Sequence, residues 1–569
     1  MNLEQLKQLK EKAQKQIALR EGGKKYRVVI SMGTSGIAAG AREVMKTMLD
    51  EIEKRGFDDV EVHVTGEHGL EDIEPVVQVE EAGGEKTTYA SLDTVKAKKI
   101  VAEHLQKGRK VNNLIITQRD FAFLTKQTKI ILDNCGVIDV EKIEEYIARD
   151  GYAALGKILT GMTPEQVIGE IKASGLRGRG GAGFPTGLKW ELMARSPAKP
   201  KYIICNADEG DPGAFMNRAV LEGDPHRVIE GMAIGGYAMG ANRGFIYIRA
   251  EYPLAIKRLQ IAINQAYEHG LLGKNLFEKG FDFGLELRIG AGAFVCGEET
   301  ALMRSIEGRR GQPMPRPPFP AQRGLWGKPS NINNVETWAA VPVIIRKGAA
   351  WYSTFGTEKT KGTKVFALAG KIKNTGLVEV PFGTSLRDII YEIGGGIPDG
   401  KQFKAVQTGG PSGGVIPAQH LDTPVEYETL QKLGSIMGSG GMVVMDEDSC
   451  MVDVARFFLE FCCDESCGKC PPCRVGTKQM LNLLEKICRG EGELTDLDKL
   501  EALCVVVRDA SLCGLGQAAP NPVLTTLKYF RHEYEQHIRE HHCVAGVCGN
   551  LRLSPSKSAA TKGSHIDAE

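Results

Sequence analysis

The chain has 569 residues, with 72 lysines and arginines against 71 aspartates and glutamates, for a formal charge of +1. That length predicts several domains of roughly 150 residues each, and the charge balance excludes a general nucleic-acid or polyanion binder, which carries a basic excess. No apolar run reaches the ~18 residues that cross a bilayer, and the first 25 residues lack a secretory h-region, so the sequence reads as a cytoplasmic multidomain protein without direct membrane insertion.

In chain order, Leu3, Leu6, Leu9 and Ile17 at helical spacing predict an amphipathic helix within residues 1–25. Residues 26–118 read as a small α/β domain, with strands at Val28–Ser31, Asp59–Val64 and Val77–Val79 and helices at Ala38–Arg55 and Thr94–Leu105. A linker and helix, 119–164, lead to residues 165–363. There glycine-rich loops alternate with strands such as Tyr202–Cys205 and Phe245–Arg249 and helices such as Leu254–Tyr267, which predicts an α/β unit on a largely parallel sheet. Residues 364–445 read as a separate α+β module, with strands at Lys364–Leu368, Gly376–Val380 and Gly440–Val444 and a helix at Leu386–Tyr391. Helical periodicity dominates 446–541. Residues 542–569 form a cysteine-containing end and a tail, rich in serine, alanine, lysine and threonine from Ser554, that reads as disordered.

The 14 cysteines are absent before Cys135, and five of them crowd into 462–473. Such clustering points to metal or redox chemistry rather than a disulfide framework. Cys467, Cys470 and Cys473 form C-x2-C-x2-C, a spacing that lets three thiolates converge on one small cluster and suits iron–sulfur or zinc. A cubane needs a fourth ligand, for which Cys488, Cys504 and Cys513 are the downstream candidates; Cys513 lies in Ser-Leu-Cys-Gly-Leu-Gly, where glycines permit a tight loop. A structural zinc site is the alternative, although four-thiolate zinc sites usually pair two C-x2-C knuckles.

Four loops of the α/β unit carry polar chemistry. Gly178-Arg-Gly-Gly-Ala-Gly183 satisfies G-x-G-x-x-G, but the preceding Val167–Ala173 looks helical, so an ordinary dinucleotide fingerprint does not apply. Its backbone N–H groups beside Arg179 and Lys189 still suit a phosphate. Cys205-Asn-Ala-Asp-Glu-Gly-Asp-Pro-Gly-Ala-Phe215 follows a strand, where α/β sheets bind ligands. Asp208, Glu209 and Asp211 there are acceptors for ribose or ribityl hydroxyls, or alternatively helix caps. Gly290-Ala-Gly-Ala-Phe-Val-Cys-Gly-Glu-Glu-Thr300 repeats the arrangement with paired Glu298 and Glu299, without a nucleophile or hydrolytic triad. Arg316-Pro-Pro-Phe-Pro320 with Asn331, Asn333 and Asn334 adds a stiff loop and amide donors.

Taken jointly, the run Gly175–Trp190, the Asn-Ala-Asp-Glu loop, Cys-Gly-Glu-Glu-Thr and Glu-Ser-Cys-Gly-Lys-Cys resemble one family over roughly residues 120–540. It is the NADH-binding flavoprotein subunit of respiratory complex I and of soluble NAD-linked hydrogenases and formate dehydrogenases. The resemblance implies FMN, one [4Fe–4S] cluster and NAD(H) as substrate. It also implies a Rossmann-like flavin domain, a ubiquitin-like (β-grasp) middle module and a C-terminal helical bundle. Carried over residue by residue, Gly178, Arg179, Gly180, Gly181, Ala182, Gly183 and Lys189 are expected to hold the FMN phosphate. Asn206, Asp208 and Glu209, joined by Asn333 and Asn334, are expected on the isoalloxazine and ribityl chain. Phe184 and Phe319 are expected to stack on the nicotinamide nucleotide, with Asp211, Glu299 and Arg316 lining its site and Gly210, Phe294 and Glu298 in the same loops. Cys467, Cys470, Cys473 and Cys513 match the cluster ligands. Phe294 stands where the family often has tyrosine. Asp211 stands where many members have glutamate: an acidic residue there disfavours a 2′-phosphate and favours NAD(H), while the shorter side chain leaves NADP(H) open.

The ends resemble the soluble, electron-bifurcating members. Val28–Gly40 is similar to their thioredoxin-like N-terminal domain, which commonly binds a [2Fe–2S] cluster; with Ser31 and Ser35 in that region and no cysteine before Cys135, this domain is expected to be clusterless and to serve as an interaction surface. Many soluble members also end in a two-cluster ferredoxin domain, and none is expected within these residues. His537, Cys543 and Cys548, with Cys462, resemble a structural zinc site of those members, against the alternative of free thiols, and His541 and His542 compete for the histidine position. The implied activity is that of a diaphorase-type NAD(P)H dehydrogenase subunit. It would exchange hydride between NAD(H) and FMN and pass single electrons to the cluster and to partner subunits. Expected partners are a [2Fe–2S] thioredoxin-like small subunit, a larger iron–sulfur or catalytic subunit of hydrogenase, formate dehydrogenase or transhydrogenase type, and ferredoxin if bifurcation occurs. An NADP(H)-linked subunit and a peripheral complex I subunit are the alternatives within the class, and a noncatalytic zinc scaffold is the alternative outside it.

Overall fold

The structure is a computed structural model that describes residues 1–17, 24–549 and 551; the expectation for the tail from Ser554 falls outside them. The N-terminal helix Leu3–Ile17 packs against the helix Ile143–Ala148. A four-stranded sheet follows, built from β1 (Tyr26–Ser31), β2 (Val60–Thr65), β3 (Val77–Glu81) and β4 (Lys86–Tyr89) in the order β2-β1-β3-β4. β1 runs parallel to β2 and antiparallel to β3, a thioredoxin-like arrangement in which Ala41–Lys54 covers the sheet through Val44, Met48 and Ile52. β4 was not expected: its four residues, Lys-Thr-Thr-Tyr, carry no apolar alternation.

The central sheet contains β5 (Tyr202–Ala207), β6 (Arg243–Arg249), β7 (Gly273–Leu276), β8 (Phe281–Gly290) and β9 (Ser330–Asn334), in the order β7-β8-β6-β5-β9. All neighbours are parallel except β7. The chain steps outward from β5 through β6 to β8, then returns to add β9 on the other side of β5. That reversal opens a crevice at the C-terminal ends of β5 and β9, where open α/β sheets bind ligands. The helices Pro225–Met239 and Val335–Lys347 back the sheet in contact with each other. A Cβ at Gly231 would lie 2.1 Å from the Trp338 carbonyl oxygen, so only glycine permits that approach. Asn331, Asn333 and Asn334, read from sequence as loop amides, lie on the edge strand β9. Residues 119–164 hold most of the helix Gln118–Thr125 and the helices Ile143–Ala148 and Ala153–Gly161, of which the last two join the core of this unit.

The third sheet is β-grasp-like: β10 (Thr363–Gly370), β11 (Gly376–Pro381), β12 (Phe403–Thr408), β13 (Val415–Pro417) and β14 (Gly441–Asp446), ordered β11-β10-β14-β12-β13 with β10 and β14 parallel. The C-terminal bundle comprises Met451–Asp464, Thr477–Cys488, Leu494–Ala510 and Asn521–Glu535 around a core of Leu459, Leu484, Leu500 and Tyr534. Among the described residues, no helix is long and apolar enough to cross a membrane.

Candidate functional site

The glycine loop sits over the crevice between the helices Pro164–Ala173 and Thr186–Ala194. It is a closed hairpin, with Gly178 N–H donating to the Phe184 carbonyl at 2.8 Å and positive φ at Gly181 and Gly183. The β-grasp module holds it from behind: Tyr427 donates its hydroxyl to the Gly178 carbonyl at 2.7 Å, and a Cβ at Gly183 would strike the Tyr427 ring at 2.8 Å. Gly180 rests on Asn334, which caps the helix Val335–Lys347 through the Glu336 N–H at 2.9 Å. Lys189 donates to the Ile332 carbonyl at 2.7 Å and pairs with Glu299 at 3.3 Å, while Arg316 pairs with Glu299 at 2.6 Å. A cation–carboxylate–cation row thus borders the cleft.

At the end of β5, Asn206 donates to the Gly297 carbonyl at 2.8 Å and accepts from the Asp208 N–H at 3.0 Å, tying the second and third loops together. Both carboxylate oxygens of Asp208 are buried without a partner. Burial pushes this carboxyl up to about 7, against the pull of Arg249. Two buried acceptors with nothing to accept from cost free energy unless a ligand supplies donors; the hydroxyls of a ribityl chain are such donors, so the residues present fit a flavin. Phe184 and Phe319 stand 47% and 55% exposed at the cleft, which suits rings that meet a planar ligand. Asp211 accepts from Ser439 at 2.9 Å and abuts Gly410, and burial raises its carboxyl to about 6.

Several expected roles need correction. The Arg179 guanidinium turns away from the cleft: it is 1% exposed, donates to the Arg177, Lys361 and Thr363 carbonyls and the Tyr352 hydroxyl, and lies over the Phe382 ring. Glu209 is engaged as a helix cap, accepting from the N–H groups of Asn217 at 2.9 Å and Arg218 at 3.1 Å. Glu298 likewise accepts from Thr300 N–H at 2.9 Å and Ala301 N–H at 3.0 Å. These acids cap nearby helix starts, the alternative that the sequence left open for the Asp208–Asp211 loop. Asn333 is 6% exposed, with its amide bonded to Asn331 at 3.0 Å. Sequence reading missed Arg249, which donates to the Glu209 carbonyl at 3.0 Å and acts on Asp208; nothing in its sequence context sets it apart from an ordinary arginine at a strand end.

Cys473, Cys513 and Leu515 form a small apolar cluster joined by Cys470 and Phe294, and Cys467 packs against the neighbouring cluster that contains Tyr247 and Cys296. A Cβ at Gly516 would lie 3.0 Å from Cys473 Cβ, so glycine brings the Cys513 loop against the C-x2-C-x2-C loop. Ser466 Oγ lies 3.2 Å from Cys473 Sγ. Of the other fourth-ligand candidates, Cys504 is buried in the bundle core and Cys488 packs against it. Four free thiols within electrostatic reach of one another, on a loop, a helical turn and a helix start rather than paired knuckles, fit an iron–sulfur cluster.

A second group brings Cys450, His537, Cys543 and Cys548 together, with ligand atoms all within 4.8 Å of one another and every residue buried. Cys450 replaces the expected Cys462. The two lie at opposite ends of one helix, 12 residues or about 18 Å apart, and Cys462 instead faces Ser412 Oγ at 3.9 Å. His537 Nδ1 bonds the Glu533 carbonyl at 2.7 Å, leaving Nε2 toward Cys450 Sγ at 3.5 Å; His541 and His542 stand outside the group. Hydrogen bonds from Cys450 and Cys548 hold the Cys543 thiol far below its ordinary range.

The N-terminal sheet has no thiol at the corresponding turns. Ser31 donates to Glu74 at 2.6 Å, Ser35 to Glu67 at 2.7 Å, and Glu222 of the flavin unit accepts from the Thr34 N–H at 2.8 Å. Glu67, Glu74 and Glu222 are 2%, 8% and 0% exposed. A Cβ at Gly66 would lie 2.5 Å from Gly223 Cα. One face of this domain, which as a whole is expected to serve as an interaction surface, is closed against the chain's own helix Met216–Gly223 through Thr34 and Gly66.

A flavin cleft whose loops touch a four-thiol site defines a flavin–iron–sulfur oxidoreductase subunit. Residues 171–343 match the Nuo51 FMN-binding domain, 365–416 the SLBB domain, and 453–537 the NADH-ubiquinone oxidoreductase-F iron-sulfur binding region. The chain is 62% identical over 435 residues to the NADP-reducing hydrogenase subunit HndC of Solidesulfovibrio fructosivorans, covering 76% of this chain and 88% of that one. It is 43% identical over 415 residues to the F subunit of the NADH-quinone oxidoreductase of Escherichia coli (strain K12), covering 72% and 93%. A crystal structure of an NAD+-reducing [NiFe]-hydrogenase in the H2-reduced state superposes with a TM-score of 0.65 at 29% identity, covering 96% of this chain and 89% of that chain. The chain therefore belongs to the family of NADH-quinone oxidoreductase F subunits and their hydrogenase counterparts: it is an FMN and [4Fe–4S] oxidoreductase subunit of complex-I-like or hydrogenase type.

Proposed function

We propose that this chain is the nucleotide-oxidising and -reducing subunit of a soluble, cytoplasmic multi-subunit complex, exchanging hydride with NAD(H) and connecting it to one-electron carriers in partner subunits. Bound FMN would supply the conversion between a two-electron hydride and single electrons. The observation that carries this reading is the unpartnered, buried carboxylate of Asp208 at the crevice, in a loop that reaches the four-cysteine site through Phe294. Asp208 and Asn206 would hold the flavin by its hydroxyls and edge, and the glycine loop with Lys189 would hold its phosphate. Phe184 and Phe319 would orient the nicotinamide nucleotide, with Arg316 and Glu299 at its rim. Cys467, Cys470, Cys473 and Cys513 would hold the cluster. The second group, Cys450, His537, Cys543 and Cys548, would hold Zn²⁺, since three thiolates and one imidazole without an open position suit a structural zinc. Partners would be a [2Fe–2S] small subunit, a larger iron–sulfur or catalytic subunit and, if electrons are bifurcated, ferredoxin.

An NADP(H)-linked reading is favoured by one observation. Asp211 is engaged with Ser439 and pressed on Gly410, which weakens it as an acceptor for a ribose 2′-hydroxyl and as a barrier to a 2′-phosphate. An anaerobic titration of the holoprotein, following flavin absorbance, tests both. Bleaching by NADH alone supports the NAD(H) reading, bleaching by NADPH moves the assignment to NADP(H), and a flavin that responds to neither refutes the nucleotide site. Asp208→Ala should lose flavin affinity by about 100-fold, the cost of removing a hydrogen-bonded charged partner, read by flavin content after desalting.

A further inference from the structure

Phe294 lies between the flavin crevice and the iron–sulfur cysteines. On one side, a Cβ at Gly210 would meet Phe294 Cδ2 at 2.7 Å; on the other, Phe294 packs into the Cys473–Cys513–Leu515 cluster. Its backbone N–H donates to Glu465 Oε2 at 2.9 Å. Its ring meets Phe461 edge-on, with centroids 5.3 Å apart at 68°. Glu465 is the residue after the helix Met451–Asp464, and its own N–H bonds the Phe461 carbonyl at 3.0 Å. Phe294, Phe461 and Glu465 thus close a ring of contacts two residues ahead of Cys467. The Glu465 carboxylate also reaches electrostatically to Asp208, raising that group together with Glu251 and Asp211.

We infer that Glu465 is a positioning residue of the electron route: it fixes Phe294 between the flavin loop and the cluster cysteines, and its charge sets the potential at which the cluster is reduced. A cluster that accepts one electron gains one negative charge, and a fixed carboxylate nearby opposes that gain; cluster potentials follow net charge and hydrogen bonding in this way. Among the described residues the Phe294 N–H has no other acceptor, so removing the carboxylate loosens the hold on Phe294 as well as removing the charge, while Asn206 still holds the Gly297 carbonyl.

This inference rests on the functional reading above. The test uses the flavin- and iron-loaded protein with Glu465→Gln, which keeps an acceptor oxygen and removes the charge, and Glu465→Ala, which removes both. Two quantities are read: the cluster midpoint potential, from a dithionite titration followed by EPR, and the stopped-flow rates of flavin bleaching by nucleotide and of cluster reduction. Glu465→Gln should shift the midpoint positive, a larger change than any in flavin bleaching, which feels the lost charge only through Asp208. Glu465→Ala should in addition slow cluster reduction about tenfold, the scale set by losing one charge-assisted hydrogen bond. Should Glu465→Ala fail to retain iron, the midpoint of Glu465→Gln decides. A wild-type midpoint and wild-type rates in iron-replete variants overturn the inference. A wild-type protein whose flavin neither nucleotide bleaches instead refutes the underlying functional reading, so the two failures are distinguishable.

Discussion

Cys467 and Cys470 lie on one short loop and Cys473 in the helical turn Pro472–Gly476 that follows it, with Cys467 and Cys470 half-buried and their surroundings continuous with the flavin crevice. Cys450, His537, Cys543 and Cys548 come from a helix start, a helix end and the C-terminal segment, and all four are buried in the bundle. The first group keeps one side toward the rest of the molecule, as a site that exchanges electrons requires. The second faces inward and ties the last residues of the bundle to its first helix. Cysteine placement, more than cysteine number, separates a redox site from a staple.

The largest effect that would break this contrast is loss of the electron site. Cys470→Ser should abolish the cluster iron and its EPR signal while leaving flavin content and bleaching by nucleotide intact; loss of both would mean that the two sites are not independent. Next is the staple. Cys543→Ser should lose one equivalent of zinc and destabilise the bundle by more than about 3 kcal/mol, as removal of a structural metal does. Metal analysis and thermal unfolding read it, and Cys462→Ser should leave the zinc content unchanged.

The N-terminal sheet sharpens the comparison, because hydroxyls and carboxyls fill its turns instead of thiols. Burial pushes Glu74 up to about 8, with Ser31 and the Val76 N–H pulling it down and Glu67 pushing it further up; Glu71 and Glu222 are raised as well. The folded chain therefore keeps protons that the unfolded chain releases in the ordinary carboxylate range. Stability from this seam should be greatest on the acid side, fall as pH rises from about 5 to about 9, and level off above, in proportion to the difference in bound protons. Denaturant midpoints across that range check the slope, and Glu74→Gln should flatten it. The smallest expected effect is at Ser466. Ser466→Ala removes a hydrogen bond to Cys473 Sγ and should shift the cluster midpoint negative, opposite in sign to Glu465→Gln.

These differences also mark what a reader of the sequence can recover. Cys467, Cys470 and Cys473 are contiguous, so the motif carries its own geometry. Cys450 stands 87 residues before His537, and no local pattern tells it from Cys462, which the fold turns the other way. The glycine loop was legible as a place of close approach, but the direction of Arg179 was not, because its partners Tyr352, Lys361, Thr363 and Phe382 lie far along the chain. The parallel sheet was legible from its apolar runs at β5 and β6; β4 and β9 were not, being short and polar.

The buried Arg179 bears on how this protein can be divided. Residues 171–343 carry the whole glycine motif and the crevice loops, yet the guanidinium at the motif's centre finds its acceptors at 361 and 363 and its ring partner at Phe382, and Tyr427 holds Gly178 from further still. A fragment cut at residue 343 would strip the Arg179 guanidinium of its acceptors at Tyr352, Lys361 and Thr363 and leave it only the Arg177 carbonyl. A piece that keeps the glycine loop as it stands in the whole chain must therefore run at least to Tyr427, inside the β-grasp module, so the two segments work as one part.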